Sequence, residues 1–359
     1  MNSVHVKLGP RSYDIAIVSD DSASFADFAR RRAAQSRLAV IVGDSNTEGH
    51  AANVSARLSQ SGFMCESAII PAGEQSKCLA EAEKLYDLLA DLNADRKTLI
   101  VAVGGGVVGD LAGFVAATWN RGIPLLMVPT SLLAMVDSSV GGKVGINHAK
   151  GKNLIGAFHQ PVGVWIDTKF LDTIPEREYL SGLAEVVKYG VILDANLFSW
   201  LETHSGKILN RDAGALRHLV TRCCQLKADI VSQDEREETG LRMVLNYGHT
   251  FGHAFEAIGG YGNWLHGEAV AAGMICASRL AERLGLIAAD VTSRQIQLLE
   301  RFRLPTAPNP WPVEDLMLAM RRDKKAQARK MRFILPRRIG EVAVFDDVPE
   351  NLVVATLKT

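Results

Sequence analysis

Strand-like and helix-like segments alternate through the first half of the chain, and this alternation limits the fold more than any other feature of the sequence. Five short runs are almost wholly apolar, rich in β-branched residues and bounded by turn residues, as is typical of strands buried on both faces. These runs span residues 36–44, 65–70, 98–103, 124–130 and 162–167. The stretches between them, such as 77–92 and 109–119, have the apolar spacing of helices. The alternation predicts a mostly parallel sheet covered on both faces.

The pattern changes after residue 176. Helical spacing dominates from there to Arg301, and short strand-like segments return only at 331–336 and 341–345. We therefore predict two domains, an α/β domain at residues 1–175 and a mainly α-helical domain at residues 176–359.

The balance of charges argues against several classes of function. The 359 residues include 40 Lys and Arg against 40 Asp and Glu, so a basic surface for nucleic acid is not indicated. No apolar run approaches the roughly 20 residues that span a bilayer, and the first residues do not resemble a signal peptide. The five cysteines are odd in number and lack CxxC spacing, which argues against a disulfide framework. We expect a cytoplasmic protein without nucleic-acid or membrane partners.

A glycine-rich loop follows the third apolar run. In GGGVVGD (104–110), Gly104, Gly106 and Gly109 satisfy the GxGxxG spacing with which a helix N-terminus approaches a pyrophosphate. The signal alone is weak, because glycines also serve tight turns, and the acidic residue expected about 20 positions later is missing. Asp44 ends an earlier strand and is either a ribose ligand or a helix cap. The sequence thus indicates a dinucleotide site in an uncommon strand order.

A polar, glycine-rich stretch at residues 132–158 contains Asp137, Lys143, Lys152 and Asn153. It is either a solvated loop or part of a pocket for a phosphorylated acid. Its apolar flanks favour the pocket, because buried lysines need anions.

Three histidines and a glutamate in the second half of the chain have the composition of a zinc site. Glu185 lies on an apolar helical segment with Lys188 on the same face, so the alternative is a structural Glu–Lys pair. His249 and His253 are four residues apart on another segment, and His266 begins a third. Glu185 with two of the histidines makes a plausible three-ligand zinc set. Spacing alone neither chooses between His249 and His253 nor shows that the segments meet.

Several long strings of the sequence occur together in one enzyme family. They are GGGVVGDLAGF, VPTSLLAMVDSSVGGK, GKNLIGAF, SGLAEVVKYG, LNYGHTFGHA and LHGEAVA. With them the chain resembles the 3-dehydroquinate synthase family of sugar phosphate cyclases over nearly its whole length. The resemblance implies an N-terminal dinucleotide-binding α/β domain and a mainly helical metal-binding domain. It implies catalytic NAD+ and a divalent metal, zinc or cobalt, with zinc the usual ion.

The resemblance also implies a reaction. The substrate is the phosphorylated sugar acid 3-deoxy-D-arabino-heptulosonate 7-phosphate, and the products are 3-dehydroquinate and phosphate. Transient oxidation precedes phosphate elimination, and re-reduction and an intramolecular aldol closure follow, so the enzyme is a carbon–oxygen lyase of the shikimate pathway. The alternatives are another sugar phosphate cyclase, for example one acting on sedoheptulose 7-phosphate, and a metal-dependent polyol dehydrogenase of the same fold.

Carried over position by position, the resemblance implies roles for individual residues. Glu185, His249 and His266 match the metal ligands, and His253 then faces the substrate. The implied NAD contacts are Asp44, Glu74, Lys77, Gly105, Gly106, Val107, Gly109, Asp110, Thr130, Ser131, Lys143, Lys152, Phe170, Leu171, Asp172 and Thr173. The implied substrate pocket contains Asp137, Lys143, Asn153, Lys188, Lys227, Arg242, Asn246 and His253.

The resemblance further implies a homodimer in which Arg121 reaches the partner's site, and a late lysine near the phosphate, either Lys324 or Lys325. The sequence departs from the family pattern at Ala72 and Ser76, which bears on the details of nucleotide contact.

Overall fold

The computed structural model describes residues 1–260, 263–323 and 331–358. The chain forms two compact units. One comprises Met1–Ile174 and Leu216–Arg236, and the other comprises Pro175–Ala215 and Glu237–Thr359. The first unit is built on a parallel-rich sheet with helices and the second is mainly α-helical, so the predicted fold class is confirmed.

The predicted domain boundary at residue 175 stays a prediction. The structure groups Leu216–Arg236 with the first unit, although this segment lies within the second half of the sequence. No change in composition or apolar spacing around these residues signals that grouping.

Seven strands form the sheet of the first unit, in the order β1-β2-β9-β6-β5-β3-β4, and β7 and β8 form a separate hairpin. Only β1 and β2 pair antiparallel in the large sheet. The five strands predicted from apolar runs are present as β3, β4, β5, β6 and β9. The bounds are β1 Asn2–Val6, β2 Tyr13–Val18, β3 Leu38–Asp44, β4 Met64–Ile70, β5 Leu99–Gly104, β6 Leu125–Pro129, β7 Lys143–His148, β8 Gly151–Phe158 and β9 Gly163–Asp167.

The strand order reverses between β3 and β5. The chain leaves β3 for β4 on one side and then places β5 on the other side of β3. In open α/β sheets, such a reversal opens a crevice at the carboxyl ends of the strands, where ligands bind. Asp44 ends β3 and Gly104 ends β5, so both lie at the reversal.

Helices of the first unit cover the sheet, whose central strands β5 and β6 are buried along their whole length. These helices are α1 Ala23–Arg32, α2 Glu48–Gln60, α3 Leu79–Asp91 and α4 Gly106–Thr118. A π-helix at Ala134–Ser138 precedes the β7–β8 hairpin. Helix α7, Ala213–Gln233, contributes its residues from Leu216 onward to this unit.

In its described residues, the second unit is a helical assembly with one short two-stranded sheet, β10 Phe333–Arg338 and β11 Glu341–Phe345. Its helices are α5 Glu176–Ile192, α6 Ala195–Leu209, α8 His249–Gly259, α9 His266–Arg283, α10 Ala289–Arg301, α11 Val313–Asp323 and α12 Glu350–Leu357. Helices α8 and α9 pack closely through glycines, since a Cβ on Gly273 would lie 2.2 Å from the carbonyl oxygen of Gly248. Among the described helices, none combines the length and the hydropathy needed to cross a membrane.

Candidate functional site

The glycine loop connects β5 to α4 in the first unit. Gly105 precedes the helix, Gly106 begins it, and the N–H of Gly109 donates to the carbonyl oxygen of Gly105 at 3.0 Å. A Cβ on Gly104 would lie 2.6 Å from the side chain of Val108, so the turn requires glycine there. The N–H groups at the start of α4 therefore lie at the sheet reversal, in the arrangement with which helix N-termini bind anions in other proteins.

Residues from the neighbouring strand adjoin this loop. The N–H of Thr130, which follows β6, donates to the carbonyl oxygen of Gly104 at 3.0 Å. The Ser131 hydroxyl lies 3.5 Å from the position that a Cβ on Gly105 would occupy. Val107 is half-buried in the first turn of α4. These predicted NAD contacts thus lie together around the loop.

Asp44 has two carboxylate oxygens with different surroundings. Its Oδ1 accepts hydrogen bonds from the N–H of Asn46, at 3.0 Å, and from the N–H and hydroxyl of Thr47, at 3.0 and 3.1 Å. Its Oδ2 accepts none from the residues that the structure describes, although the side chain is nearly buried. Oδ1 accepts the hydrogen bonds of the turn that leads into α2, and Oδ2 takes no part in them. The helix-cap and the ribose-binding interpretations of Asp44 are therefore compatible.

Lys77 is the buried centre of a polar cluster in the first unit. Its Nζ donates to Oδ2 of Asp110 at 2.5 Å and to the Asn153 side-chain oxygen, and Lys77 is only 4% exposed. Burial raises the pKa of Asp110 above its ordinary value, although the charge of Lys77 opposes the rise. The cluster joins residues from the start of α3, from α4 and from β8.

Asn147 belongs to the same cluster, and the sequence analysis missed it. Its amide donates to Oε1 of Glu74 at 2.7 Å, and its Oδ1 accepts from the N–H of Asn153 at 3.0 Å. It also donates its own N–H to the carbonyl oxygen of Lys77 at 2.8 Å. Asn147 therefore ties the hairpin to the Glu74–Lys77 turn. No motif around Asn147 distinguishes it from an ordinary turn residue.

A second ion pair of this unit joins α7 to the π-helix. Lys227 is 5% exposed, and its Nζ donates to Oδ1 and to the carbonyl oxygen of Asp137, both at 2.6 Å. Like Lys77, the Lys227 ammonium opposes the rise in the pKa of Asp110. The Lys227–Asp137 pair and the cluster around Lys77 therefore lie close enough to interact electrostatically. π-Helical turns are frequent at functional sites.

The remaining predicted residues of the first unit are more exposed, except Leu171, which is buried. Lys143 is exposed at the start of β7, Lys152 is half-buried in β8, and Arg121 is exposed with a positive φ of 67°. Phe170, Leu171, Asp172 and Thr173 lie in and after a short 3-10 helix, where His50 of α2 contacts Phe170 and Thr173.

The metal-ligand candidates all belong to the second unit and converge there. Glu185 of α5, His249 at the start of α8 and His266 at the start of α9 place one ligand atom each within 4.8 Å of one another. Nε2 of His249 and Nε2 of His266 lie 3.8 and 3.7 Å from Oε1 of Glu185. A carboxylate oxygen and two imidazole nitrogens are zinc ligands of catalytic sites. The structure therefore brings His249, rather than His253, into the cluster.

The oxygens beside Nδ1 of both imidazoles suit metal binding. Nδ1 of His249 lies 3.1 Å from the carbonyl oxygen of Tyr247, and Nδ1 of His266 lies 3.3 Å from Oε2 of Glu256. Because these oxygens accept hydrogen bonds, each of them suits a proton on Nδ1, and with that proton in place the Nε2 lone pair would face Glu185. Burial lowers the pKa of His249 well below its ordinary value, and Lys188 lowers it further. Burial also lowers the pKa of His266, but Glu256 raises it above the ordinary value.

Glu185 itself is the strongest indication that the cluster suits a metal cation. The residue is fully buried, and neither oxygen accepts a hydrogen bond of good geometry from the described part of the chain. Lys188, also buried, forms an ion pair with Oε2, so Oε1 is the oxygen that faces the histidines. An unsatisfied buried carboxylate is costly, and a divalent cation at Oε1 would satisfy it. The residues present fit a metal ion.

The other predicted substrate residues of this unit lie on α8 and on the 3-10 helix Leu241–Asn246 that precedes it. Arg242 is 3% exposed, with its Nε 3.6 Å from Oε1 of Glu237. The ring of His253 is exposed and its centroid lies 5.4 Å from that of His249. Asn246 is exposed at the end of a 3-10 helix. Lys324 and Lys325 lie outside the described residues.

The fold is similar to those of synthases that were solved with NAD+ and a divalent metal ion. A 2-epi-5-epi-valiolone synthase from Streptomyces hygroscopicus, solved with NAD+ and Zn2+ bound, matches with a TM-score of 0.88 and 27% identity over 96% of each chain. A 2-deoxy-scyllo-inosose synthase, solved with carbaglucose-6-phosphate, NAD+ and Co2+, matches with a TM-score of 0.90 and 27% identity over 99% of each chain.

Comparison of this sequence with family models and with related proteins is more specific than comparison of the folds. The family model for the 3-dehydroquinate synthase N-terminal region matches residues 67–181, and that for the C-terminal region matches residues 182–326. A 3-dehydroquinate synthase of Desulforamulus reducens is 48% identical over 358 residues, covering 99% of both chains. These matches show that the chain belongs to the 3-dehydroquinate synthase family of phosphate-eliminating lyases.

Proposed function

We propose that this protein converts 3-deoxy-D-arabino-heptulosonate 7-phosphate into 3-dehydroquinate and phosphate, with NAD+ and a divalent cation as cofactors. The observation that carries the proposal is the convergence of Glu185, His249 and His266 in a chain of this family. The cation, Zn2+ by preference and Co2+ as the alternative, supplies Lewis acidity toward substrate oxygens, and NAD+ supplies a hydride acceptor that is regenerated within each turnover.

The first unit supports the proposal with a nucleotide-binding surface. The α4 N-terminus, with Gly105, Gly106 and Gly109, offers N–H donors to a pyrophosphate, and Oδ2 of Asp44 offers an acceptor to a ribose hydroxyl. Thr130 and Ser131 border the same loop. Lys77 places a cation beside Asp110, the last residue of the loop, and also donates to Asn153.

The substrate is an anion with a phosphate and a carboxylate, and the chain provides buried cations for it. Lys188, Lys227 and Arg242 are each less than a tenth exposed and each lies beside a carboxylate. These carboxylates hold the cations in place without substrate, so that a bound anion meets oriented donors. Lys143, Lys152, Asn153, Asn246 and His253 are the further polar groups that we assign to cofactor and substrate. Main-chain and side-chain positioning is then the main catalytic contribution of the protein.

We further propose a cytoplasmic homodimer in which Arg121 completes the site of the partner. The exposed position of Arg121, in a turn with positive φ, supports a contact made outside its own chain. None of the five cysteines forms a disulfide, which is compatible with a reducing compartment. Sedimentation of the protein, and loss of activity in Arg121→Ala without loss of the dimer, would test this assembly.

Phosphate release with substoichiometric NAD+ tests the reaction directly. We expect many turnovers for each NAD+, loss of activity with a chelator, and recovery with Zn2+. A requirement for one NAD+ per product would favour a polyol dehydrogenase instead. Preference for sedoheptulose 7-phosphate in a competition assay would favour another sugar phosphate cyclase and would overturn the proposed substrate.

A further inference from the structure

A carboxylate outside the three-ligand cluster lies behind one of its histidines. Glu256 is on α8, its side chain is 7% exposed, and its Oε2 lies 3.3 Å from Nδ1 of His266. Residues seven apart lie on one face of a helix, so Glu256 and His249 share a face of α8. The helix thus contributes one candidate metal ligand and, two turns later, a group that touches another.

We propose that Glu256 is a positioning residue for the metal site: its carboxylate holds His266 in the Nδ1-protonated tautomer and so directs the Nε2 lone pair toward the cation. The inference rests on the proposed function, because it concerns the same cluster. It adds to that cluster a residue that neither the motifs nor the spacing of the sequence single out.

Competition between two carboxylates explains why such a residue is needed. Nε2 of His266 lies 3.7 Å from Oε1 of Glu185, and its Nδ1 lies 3.3 Å from Glu256. A neutral imidazole has a single N–H. On Nδ1 it would donate to Glu256, and on Nε2 it would donate to Glu185. A proton on Nε2 would block metal binding, whereas a proton on Nδ1 leaves the lone pair at Nε2. The closer approach of Glu256 favours the tautomer that binds metal.

The two histidines are supported in different ways, and this makes the inference testable. His249 donates to the main-chain carbonyl of Tyr247, which substitution of a side chain does not remove. His266 depends on a side chain instead. Close packing of α8 on α9 keeps that side chain in place, since a Cβ on Gly252 would lie 3.1 Å from the carbonyl oxygen of Ala269.

The experiment compares zinc binding and the histidine tautomer in Glu256→Gln and Glu256→Leu. Chelator competition should show weaker Zn2+ binding, by about tenfold for Glu256→Gln, which keeps an acceptor, and by up to about a hundredfold for Glu256→Leu. In the metal-free protein labelled with 15N-histidine, the His266 signal should move from the Nδ1-protonated to the Nε2-protonated pattern in Glu256→Leu. A role limited to packing would not change that signal.

Glu202→Gln is the matched control. Glu202 lies in the same unit, and its carboxylate pairs with Arg294, at a distance of 2.7 Å, rather than with a residue of the cluster. It should bind zinc like the unaltered protein. Unchanged zinc affinity in folded Glu256→Gln, or an unchanged tautomer in folded Glu256→Leu, would overturn the inference, and the zinc affinity of Glu256→Gln decides if Glu256→Leu does not fold. If the unaltered protein itself binds no zinc, that result contradicts the proposed function together with the role of Glu256. Zinc binding that the substitution leaves unchanged contradicts only the role of Glu256.

Discussion

At the scale of single residues, the buried pair of Glu185 and Lys188 links stability to metal binding. Both side chains are at most 1% exposed, so each charge depends on the other. We expect Glu185→Gln to destabilise the metal-free protein by about 3–5 kcal/mol, because it leaves the Lys188 ammonium buried without its counter-charge. Urea unfolding of the metal-free variants measures this directly.

The double variant Glu185→Gln/Lys188→Met provides the control, because it removes both charges. It should recover most of the lost stability and still bind no zinc. Lys188→Met alone should be destabilised without metal and stabilised again by zinc, which supplies the missing positive charge at the carboxylate. A double variant no more stable than Glu185→Gln would contradict the electrostatic explanation.

A second residue-scale effect concerns acid sensitivity in the first unit. Nε2 of His159 donates to the carbonyl oxygen of Ile123 at 2.9 Å, and burial lowers the pKa of His159 below its ordinary value of 6.5 despite this hydrogen bond. The unfolded chain therefore takes up the proton at a higher pH than the folded chain does. The stabilisation from neutral His159 is present above pH 6.5 and is lost as the pH falls through the lower, folded value.

We therefore expect His159→Gln, which keeps an N–H donor, to lose less stability between about pH 7.5 and about pH 5 than the unaltered protein loses. Urea unfolding at the two pH values measures the difference. An identical pH dependence in both proteins would show that His159 does not contribute to acid destabilisation.

At the scale of elements, the close approach of α8 and α9 sets the separation of two metal ligands. A Cβ on Gly273 would lie 2.2 Å from the carbonyl oxygen of Gly248, which itself has a φ of 80° and precedes His249. Gly273→Ala should push the helices apart and separate the two imidazoles. We expect about 1–3 kcal/mol of destabilisation from the added methyl group, with weaker zinc binding although every ligand is retained.

Gly206→Ala is the matched control for this prediction. Gly206 lies within α6, and a Cβ there would meet nothing within 4 Å. The substitution should stabilise the protein by about 0.5–1 kcal/mol and leave zinc affinity unchanged. Thermal unfolding and chelator competition on both variants separate helix packing from a general effect of alanine. Zinc affinity in Gly273→Ala equal to that of the control would show that helix spacing does not govern the site.

The elements also show what sequence patterns predict and what they leave open. Apolar runs identify β3, β5 and β6, because a strand buried on both faces needs an unbroken apolar sequence. Glu185 and the histidines are recognisable as ligand types, but their convergence depends on helix packing that no local pattern encodes. Asn147 and Glu256 act through contacts with residues distant in the chain or on another element, so their own sequence neighbourhoods contain no signal.

At the scale of the whole molecule, the residues proposed to bind NAD+ and those proposed to bind the metal lie in different units. We therefore expect each cofactor to stabilise mainly the unit that binds it. Each ligand stabilises the folded state by about 2.7 kcal/mol at a hundred times its dissociation constant. Amide hydrogen exchange should therefore slow most around Gly104–Gly109 when NAD+ is added, and most in the first turns of α8 and α9 when Zn2+ is added. His266→Gln should abolish the zinc effect and keep the NAD+ effect, because the glycine loop is unaltered. Zinc protection at the glycine loop without protection of α8 and α9 would place the cation elsewhere and would refute the assignment of Glu185, His249 and His266.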